Sequence, residues 1–454
     1  MIEVNTSIIR MISNAEQERT CIRPVTNAQK QYLKKRVKKG TFVRTFRNLY
    51  AQTDYWQRLY TSERIRHVAL SLMDIYPDWK FTVTSGAALL GYDVVEDYDT
   101  LFVGSKYDSQ KTNLQTLPTQ IYVRSTTNKS THDNPQLHRI RATGMEQDGT
   151  SDDVRIVQPS RKYDGKLITL PHLSDRVSYE IRSHIVDKST LLLDAANSLS
   201  FRAALPIFDS AARDNVNFNK VLEICGRRYG GRYGVGVGGV GCGVGCGVGF
   251  GGVGAGGVGC GVGCGVGGVG IGGSGVAGSG FVDSGVVGFG SNADPIFRLR
   301  RLCCFANGLS ENGGESFARG TMIDLGFMVP ELQHEFVAPN SGVKYRCDFL
   351  WRVPGGGLIV GELDGYDKYF VDSTNSTHAN INFNSSSDTQ MLRNSYNQTA
   401  INRNIDRQAE RESVLFRECG VSKIVRFNFA DVVGVKNLER KLVEAGVPRI
   451  MRVG

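Results

Sequence analysis

Three acidic residues inside strongly apolar segments are the residues of this chain whose spacing could support chemistry. Asp348 lies in KYRCDFLWRV, and Glu362 and Asp364 lie in LIVGELDG. Alternation and turn residues predict a β-hairpin with strands over Lys344–Val353 and Leu358–Gly365. Asp348 and Glu362 would then face each other at one level, where two carboxylates can hold a divalent cation, and Asp364 would share their face. The alternative is a solvated acid at Asp348 and a turn signal in Asp364-Gly365.

The elements around this hairpin must position those carboxylates. The pattern predicts a helix that begins near Glu315, a second helix over Asn404–Gly420 and a strand over Ser422–Phe429. With the hairpin and a preceding strand, the predicted order is α-β-β-β-α-β. The segments ESFARGTMIDLGFMVPELQHEF, YRCDFLW, VGELDGYDKY and ERESVLFRECGVSKIVRF, within residues 314–431, resemble the PD-(D/E)xK nuclease superfamily, most closely its very-short-patch-repair-like branch.

The resemblance implies a role for individual residues. It implies Glu315 on the first helix, Asp348 and Glu362 as ligands of Mg²⁺ or Mn²⁺, and Gln333 and Arg411 as further candidates. The superfamily pattern has Lys two residues after the second carboxylate, to orient water and offset developing negative charge. This chain has Asp364 there, an E-x-D-G variant, and Lys368 is the candidate replacement cation. The implied catalytic set is Glu315, Asp348, Glu362, Asp364 and Lys368.

The N-terminal region carries most of the positive charge. The formal net charge is +9, and residues 1–60 contain 12 Lys and Arg against four Asp and Glu, or +8. A helix over Ser7–Glu18, a second helix from the Thr26 cap to Lys39 with a stop at Gly40, and strand-like Thr41–Ala51 fit a winged helix-turn-helix. A cation-rich segment without acids suits phosphate contacts, although a solvated helix face is the alternative. The candidate DNA-binding residues are Lys34, Lys35, Arg36, Lys38, Lys39, Arg44 and Arg47, which Lys30 accompanies.

The same region contains aromatic residues whose role the sequence leaves open. Tyr32, Phe42, Phe46 and Tyr50 could belong to the core or stack on bases. Downstream, the periodicity predicts a long amphipathic helix over Trp56–Tyr76, a strand over Phe81–Thr84, and a short helix over Ser85–Gly91. Leu167–Arg213 is predicted as a strand followed by helices around Leu191–Leu199 and Arg202–Arg213.

Three segments in this half resemble AbiEi-type antitoxins of type IV toxin–antitoxin systems. They are KKGTFVRTFRNLYAQ, SGAALLGYDV and LLLDAANSLSFRAALPIFDSAAR, and the resemblance covers residues 5–225. It implies a DNA-binding winged helix followed by a mixed α/β antitoxin domain. It also implies transcriptional repression, with a cognate toxin or its operator as partner.

A glycine tract separates the two halves. Of the 54 glycines, 31 lie between Gly230 and Gly290, within a Gly/Val/Cys repeat. Such a composition supplies too little side-chain area for a core and favours a flexible linker. Thiolate ligation of zinc by its CGVGC pairs is the alternative. We therefore predict a winged-helix region over 1–52, an antitoxin-like α/β domain over 53–228, the linker over 229–291 and a nuclease-like domain over 292–454.

The predicted fold class is α/β and α+β multidomain, with a restriction-endonuclease-like C-terminal core. Scattered cysteines, without paired spacing, favour reduced thiols, and no signal peptide or membrane span is predicted, so the expected location is cytoplasmic. The expected function is DNA binding combined with Mg²⁺- or Mn²⁺-dependent phosphodiester hydrolysis. The alternative is a non-enzymatic antitoxin-like repressor whose nuclease fold is inactive.

Overall fold

The computed structural model describes residues 2–95, 120–125, 136–141, 160–163, 166–169, 181–233, 295–364 and 408–450. The predicted linker from residue 234 onward and Lys368 lie outside these described residues. Helices and four β-sheets alternate within them, which confirms the predicted mixed α/β class. None of the described helices combines the length and apolar character needed to cross a bilayer.

The first elements are two helices followed by a hairpin. They are α1 (Ile2–Glu18), α2 (Asn27–Lys38), β1 (Phe42–Phe46) and β2 (Leu49–Gln52), with β1 and β2 antiparallel. Thr26 caps α2 as predicted, because its hydroxyl accepts from the Gln29 N–H while the Gln29 side chain accepts from the Thr26 N–H. Gly40 has φ +75° and allows the turn into β1. Phe42, Phe46 and Tyr50 are buried, so these aromatic residues are core and not exposed stacking surfaces.

The long helix predicted over Trp56–Tyr76 is wrong in its extent. The chain forms α3 (Thr53–Gln57) and α4 (Thr61–Met73) instead. Tyr60 is extended between them, and its backbone N–H donates to the Glu63 carboxylate, which gives α4 its own N-terminal cap. The spacing of apolar residues does not predict this break, because the break depends on the cap of α4.

The predicted strand over Phe81–Thr84 is also too long. Only Lys80–Phe81 forms a strand, β3, and helix α5 (Val83–Leu90) begins directly afterwards. A Cβ at Gly86 would lie 3.0 Å from the Phe81 carbonyl oxygen, so the close approach of helix and strand requires glycine. The predicted short helix over Ser85–Gly91 is confirmed with shifted bounds, because it begins at Val83 and Gly91 ends it with φ +82°.

Short strands and buried helices complete the N-terminal half. Strands β4 (Ile121–Ser125) and β5 (Leu137–Arg141) join β3 in one sheet, while β6 (Ser160–Tyr163) and β7 (Lys166–Thr169) form a separate hairpin. Three helices follow: α6 (Lys188–Ser198), α7 (Phe201–Arg213) and α8 (Phe218–Tyr233). The predicted helices around Leu191–Leu199 and Arg202–Arg213 are confirmed as α6 and α7.

The C-terminal half contains the predicted order of elements. After α9 (Pro295–Phe305), it runs α10 (Gly313–Asp324), β8 (Glu331–Val337), β9 (Lys344–Arg352), β10 (Leu358–Asp364), a helix α11 over residues 408–418, β11 (Val421–Asn428), α12 (Phe429–Val433) and α13 (Val435–Ala445). The sheet order is β11-β10-β9-β8, and β10 pairs parallel with β11. From α10 to β11 the order α-β-β-β-α-β is confirmed.

The two halves share apolar packing. Leu299 and Leu302 on α9 belong to the core cluster of the N-terminal half. Ala203 on α7 belongs to the cluster that contains Phe317 and Trp351 of the C-terminal half. The candidate site therefore lies on a sheet whose first helix, α10, is packed against the N-terminal half.

Candidate active site

The β9–β10 hairpin brings the two predicted carboxylates to the same level. Gly361 pairs with Phe349, so the antiparallel register places Glu362 opposite Asp348. Directly opposed residues of an antiparallel pair share one face. The Asp348 carboxylate accepts the Leu363 backbone N–H at 2.9 Å, which ties it to the facing strand. The predicted positions of both residues on adjacent strands are confirmed.

Glu315 reaches the site from the N-terminal turn of α10. Asn312 caps this helix by accepting the Glu315 N–H at 3.0 Å. The Glu315 carboxylate in turn accepts from the Glu311 N–H, from Asn312 Nδ2 and from Gln333 Nε2, at 2.8, 2.8 and 2.9 Å. Glu315 is only 4% exposed. Three donors and burial therefore fix its orientation.

Gln333 holds an unusual backbone conformation beside Glu315. Its φ is +53°, a region that residues with a side chain rarely occupy. It lies within β8 between Leu332, which pairs with Phe349, and His334, which pairs with Cys347. Strained residues of this kind concentrate at functional sites. The contact with Glu315 joins this position, a further candidate from the sequence, to the carboxylate cluster.

The buried carboxyls influence one another's ionisation. Burial, and secondly the Asp348 carboxylate, raises the pKa of Glu315 to about 8. Burial, and again Asp348 in second place, raises the pKa of Glu362 to about 7. The pKa of Asp348 is itself raised, mainly by burial and despite the Leu363 N–H. The charge of Asp348 therefore disfavours ionisation of both glutamates. Added positive charge would stabilise the ionised form of all three carboxyls.

Two arginines contact the acidic pair on β10. Arg411, on α11, donates to the Glu362 carboxylate at 2.7 Å and to the Arg346 carbonyl at 2.5 Å. Arg426, on β11, forms a two-point contact with Asp364. The position that carries Lys in the superfamily pattern is thus an ion-paired Asp here. Lys368, the expected substitute, lies outside the described residues.

Arg426 was missed by the sequence interpretation, although a signal for it exists. It is a charged residue within SKIVRFNF, the otherwise apolar segment of β11. The same reasoning that singled out Asp348 and Glu362 applies to it, because a half-buried charge needs a partner. Glu311 was also missed, and it pairs with Arg346 at the edge of the cluster.

The carboxylates of the site have the right chemistry for a hard divalent cation, but they are not arranged around a common point. Within the part of the chain that the structure describes, no group of three or more His, Cys, Asp or Glu side chains is arranged to hold a metal ion. Glu315, Asp348 and Glu362 nevertheless supply only oxygen donors, which Mg²⁺ prefers. Burial raises the pKa values of all three carboxyls, and a bound cation would lower them. Glu362 is held by Arg411, so a cation would compete with that guanidinium.

A separate basic surface lies on α2 and the β1–β2 hairpin. Arg36 is half-buried, with its guanidinium 5.0 Å from the centre of the Tyr32 ring. The other six candidate DNA-binding residues are exposed to solvent: Lys34, Lys35, Lys38, Lys39, Arg44 and Arg47. The carboxylate cluster and this surface lie on different elements, so a substitution in one leaves the other's residues intact.

Comparisons of the chain with protein-family models, with curated proteins and with solved structures give no match. The residues and geometry of the two sites are therefore the basis for assigning a function.

Proposed function

We propose that this protein binds DNA through its N-terminal basic surface and hydrolyses phosphodiester bonds at the carboxylate cluster of its C-terminal half. The observation that carries the proposal is the meeting of Glu315, Asp348 and Glu362 on one helix and one hairpin. Burial of several carboxyls close together is unfavourable, and such arrangements concentrate at functional sites. The α-β-β-β-α-β order is consistent with a restriction-endonuclease-like core.

In this proposal Asp348 and Glu362 hold the cation, Mg²⁺ or Mn²⁺, with Glu315 beside them. A cation held there would supply Lewis-acid chemistry for phosphodiester hydrolysis. Gln333 orients Glu315 through its 2.9 Å hydrogen bond. The Arg411 guanidinium contacts Glu362 and so lies beside the proposed reaction centre. In that position Arg411 offsets negative charge on a reacting phosphate. Asp364, neutralised by Arg426, orients this part of β10.

Cleavage assays on supercoiled plasmid, linear DNA and RNA, with and without Mg²⁺, test the nuclease proposal. Asp348→Ala and Glu362→Ala should each abolish cleavage. The double substitution should be hardly worse than either single one, because both act through one cation. Glu335→Ala is a matched control, since Glu335 is half-exposed on the neighbouring strand β8 and pairs with Lys344. Full activity of Glu362→Ala in excess Mg²⁺ would remove the assignment.

Salt dependence tests the DNA-binding proposal. If about five of the basic residues neutralise phosphates, log K should fall with log salt at a slope near −4 to −5 on duplex DNA. Replacing Lys34, Lys35 and Lys38 together by Ala should reduce that slope by roughly 3. Arg36 is best left intact, because it packs on Tyr32. A gel-shift titration that shows no salt response would contradict phosphate binding by this surface.

A second candidate function is a DNA-binding repressor without nuclease activity. The ion pairs Arg411–Glu362 and Arg426–Asp364 favour it, because they neutralise two of the carboxylates without a metal. A cognate toxin or its operator would then be the partner. Calorimetric titration with Mg²⁺ or Mn²⁺ separates the two functions: binding to the wild type that Asp348→Ala abolishes supports the enzyme, and no binding to the wild type supports the repressor.

A further inference from the structure

Helix α10, which carries Glu315, is held by contacts from the N-terminal half. Arg319 lies one turn after Glu315, and its guanidinium donates to the Asp209 carboxylate of α7 at 2.6 Å. The side chains of Arg319 and Asp209 are 2% and 0% exposed. Among the described residues, Nε of Arg319 has no hydrogen-bond partner. Asp209 therefore balances the charge of a cation that is almost completely removed from water.

Asp209 also fixes the segment that leads into α10. Its carboxylate accepts the Asn307 backbone N–H at 2.8 Å and the Ser310 hydroxyl at 3.2 Å. Arg213, one turn further along α7, donates to the Ser310 carbonyl at 2.5 Å and to the Asp93 carboxylate at 3.2 Å. The residues immediately before the Glu315 turn are thus bound at several points by the N-terminal half.

Two glycines of α10 allow a close approach of the backbone. A Cβ at Gly320 would lie 2.8 Å from the Cα of Arg202 on α7. A Cβ at Gly313 would lie 3.0 and 3.1 Å from side-chain atoms of Val95 and Asp93. Real Cβ atoms are not found as close as the first of these distances, so the packing specifies glycine at residue 320. The helix is held along its length and at its N-terminal end.

We propose that Asp209 is a positioning residue for the carboxylate cluster, acting through Arg319 and α10 on Glu315. The candidate nuclease site is then a joint property of both halves of the chain. This inference rests on the proposed function for its catalytic consequence. The docking of α10 that it requires can be measured independently of activity.

The test compares Asp209→Asn with Asp194→Asn in the full-length protein. Asp194 is a matched control, because it forms a buried 2.6 Å ion pair with Arg124 wholly inside the N-terminal half and also accepts the Thr82 hydroxyl at 2.7 Å. Amide hydrogen exchange over residues 308–324 should accelerate in Asp209→Asn and stay at the wild-type rate in Asp194→Asn. Equal exchange in the two variants would overturn the proposal.

The catalytic readout is the split between kcat and KM, measured below the unfolding temperature of every variant. Asp209→Asn should lower kcat about 10- to 100-fold through misplacement of Glu315, with KM within about twofold of wild type because the basic surface is unchanged. Asp194→Asn should retain the wild-type kcat, and an equal loss in both variants would overturn the proposal. A wild type that cleaves nothing would remove the nuclease assignment, and the exchange measurement would still decide the docking.

Arg213→Gln covers the case in which Asp209→Asn does not fold. The Arg213 side chain is 39% exposed, so its replacement leaves the buried core intact. It should accelerate exchange over residues 308–316 and lower kcat in the same direction. Wild-type exchange and wild-type kcat in Arg213→Gln would contradict the proposal.

Discussion

Glu315→Gln should change how the stability of the metal-free protein depends on pH. Burial, and secondly the Asp348 carboxylate, raises the pKa of Glu315 from 4.5 to about 8. Between these values the folded state holds a proton that the unfolded chain has released. Stability therefore decreases as the pH rises through this window, because the unfolded chain is favoured by releasing a proton that the folded state retains. The Gln side chain cannot ionise, and the variant should lack this part of the decrease.

The expected magnitude follows from the raised pKa. A difference of one in pKa corresponds to about 1.4 kcal/mol. Linkage over the window gives a loss of about 3 kcal/mol in unfolding free energy between about pH 5 and pH 7.5 for Glu315 alone. The residue is 4% exposed, so solvent screens little of this cost. If Gln forms weaker hydrogen bonds than Glu, the whole curve of unfolding free energy against pH is displaced. Its slope is unchanged.

Urea unfolding in EDTA, followed by tryptophan fluorescence to which the fully buried Trp351 contributes, measures this slope. Wild type and Glu315→Gln should converge in relative stability near pH 5 and diverge towards pH 7.5. Glu444→Gln is the control, because Glu444 is 61% exposed on α13 of the same half, and its curve should run parallel to the wild type. Parallel curves for wild type and Glu315→Gln would refute the reasoning that a buried, protonated Glu315 belongs to the folded state.

Three further predictions concern single residues. Thr26→Ala removes the cap of α2 and should lower stability by about 1 kcal/mol, measured by thermal unfolding; an unchanged melting temperature would contradict the capping assignment. Gly361→Ala places a Cβ 2.8 Å from Cζ3 of Trp351. It should lower the unfolding free energy by about 1–3 kcal/mol and reduce cleavage activity. A variant with wild-type stability and activity would show that β10 can shift. Burial lowers the pKa of His67 to about 4, so His67 should contribute a loss of about 2 kcal/mol between about pH 7 and pH 5 as the unfolded state binds the proton, opposite in sign to the Glu315 contribution. His67→Gln should lack this contribution when melting is followed across the same range, and an equal pH dependence in both proteins would argue against a neutral buried His67.

The sequence alone predicts the elements that depend on neighbouring residues. The helix cap at Thr26 and the hairpin turn over residues 354–357 follow from local backbone preferences, and the structure confirms both. The placement of Asp348 opposite Glu362 also follows, because a short turn determines the register of the strands it joins. The sequence therefore locates Asp348 and Glu362 relative to each other.

Only the tertiary structure places the partners of these residues. Arg411 lies 49 residues from Glu362 in the chain, and Arg426 lies 62 residues from Asp364. Asp209 and Arg319 are separated by 110 residues, yet their side chains meet in a buried ion pair. Such contacts arise from the packing of helices and sheets. They produce no repeating pattern in the sequence that could predict them. Helix α10 is buried on all sides from Glu315 to Met322, so apolar patterning does not predict its orientation, and the close approach of α7 at Gly320 determines which charges meet there.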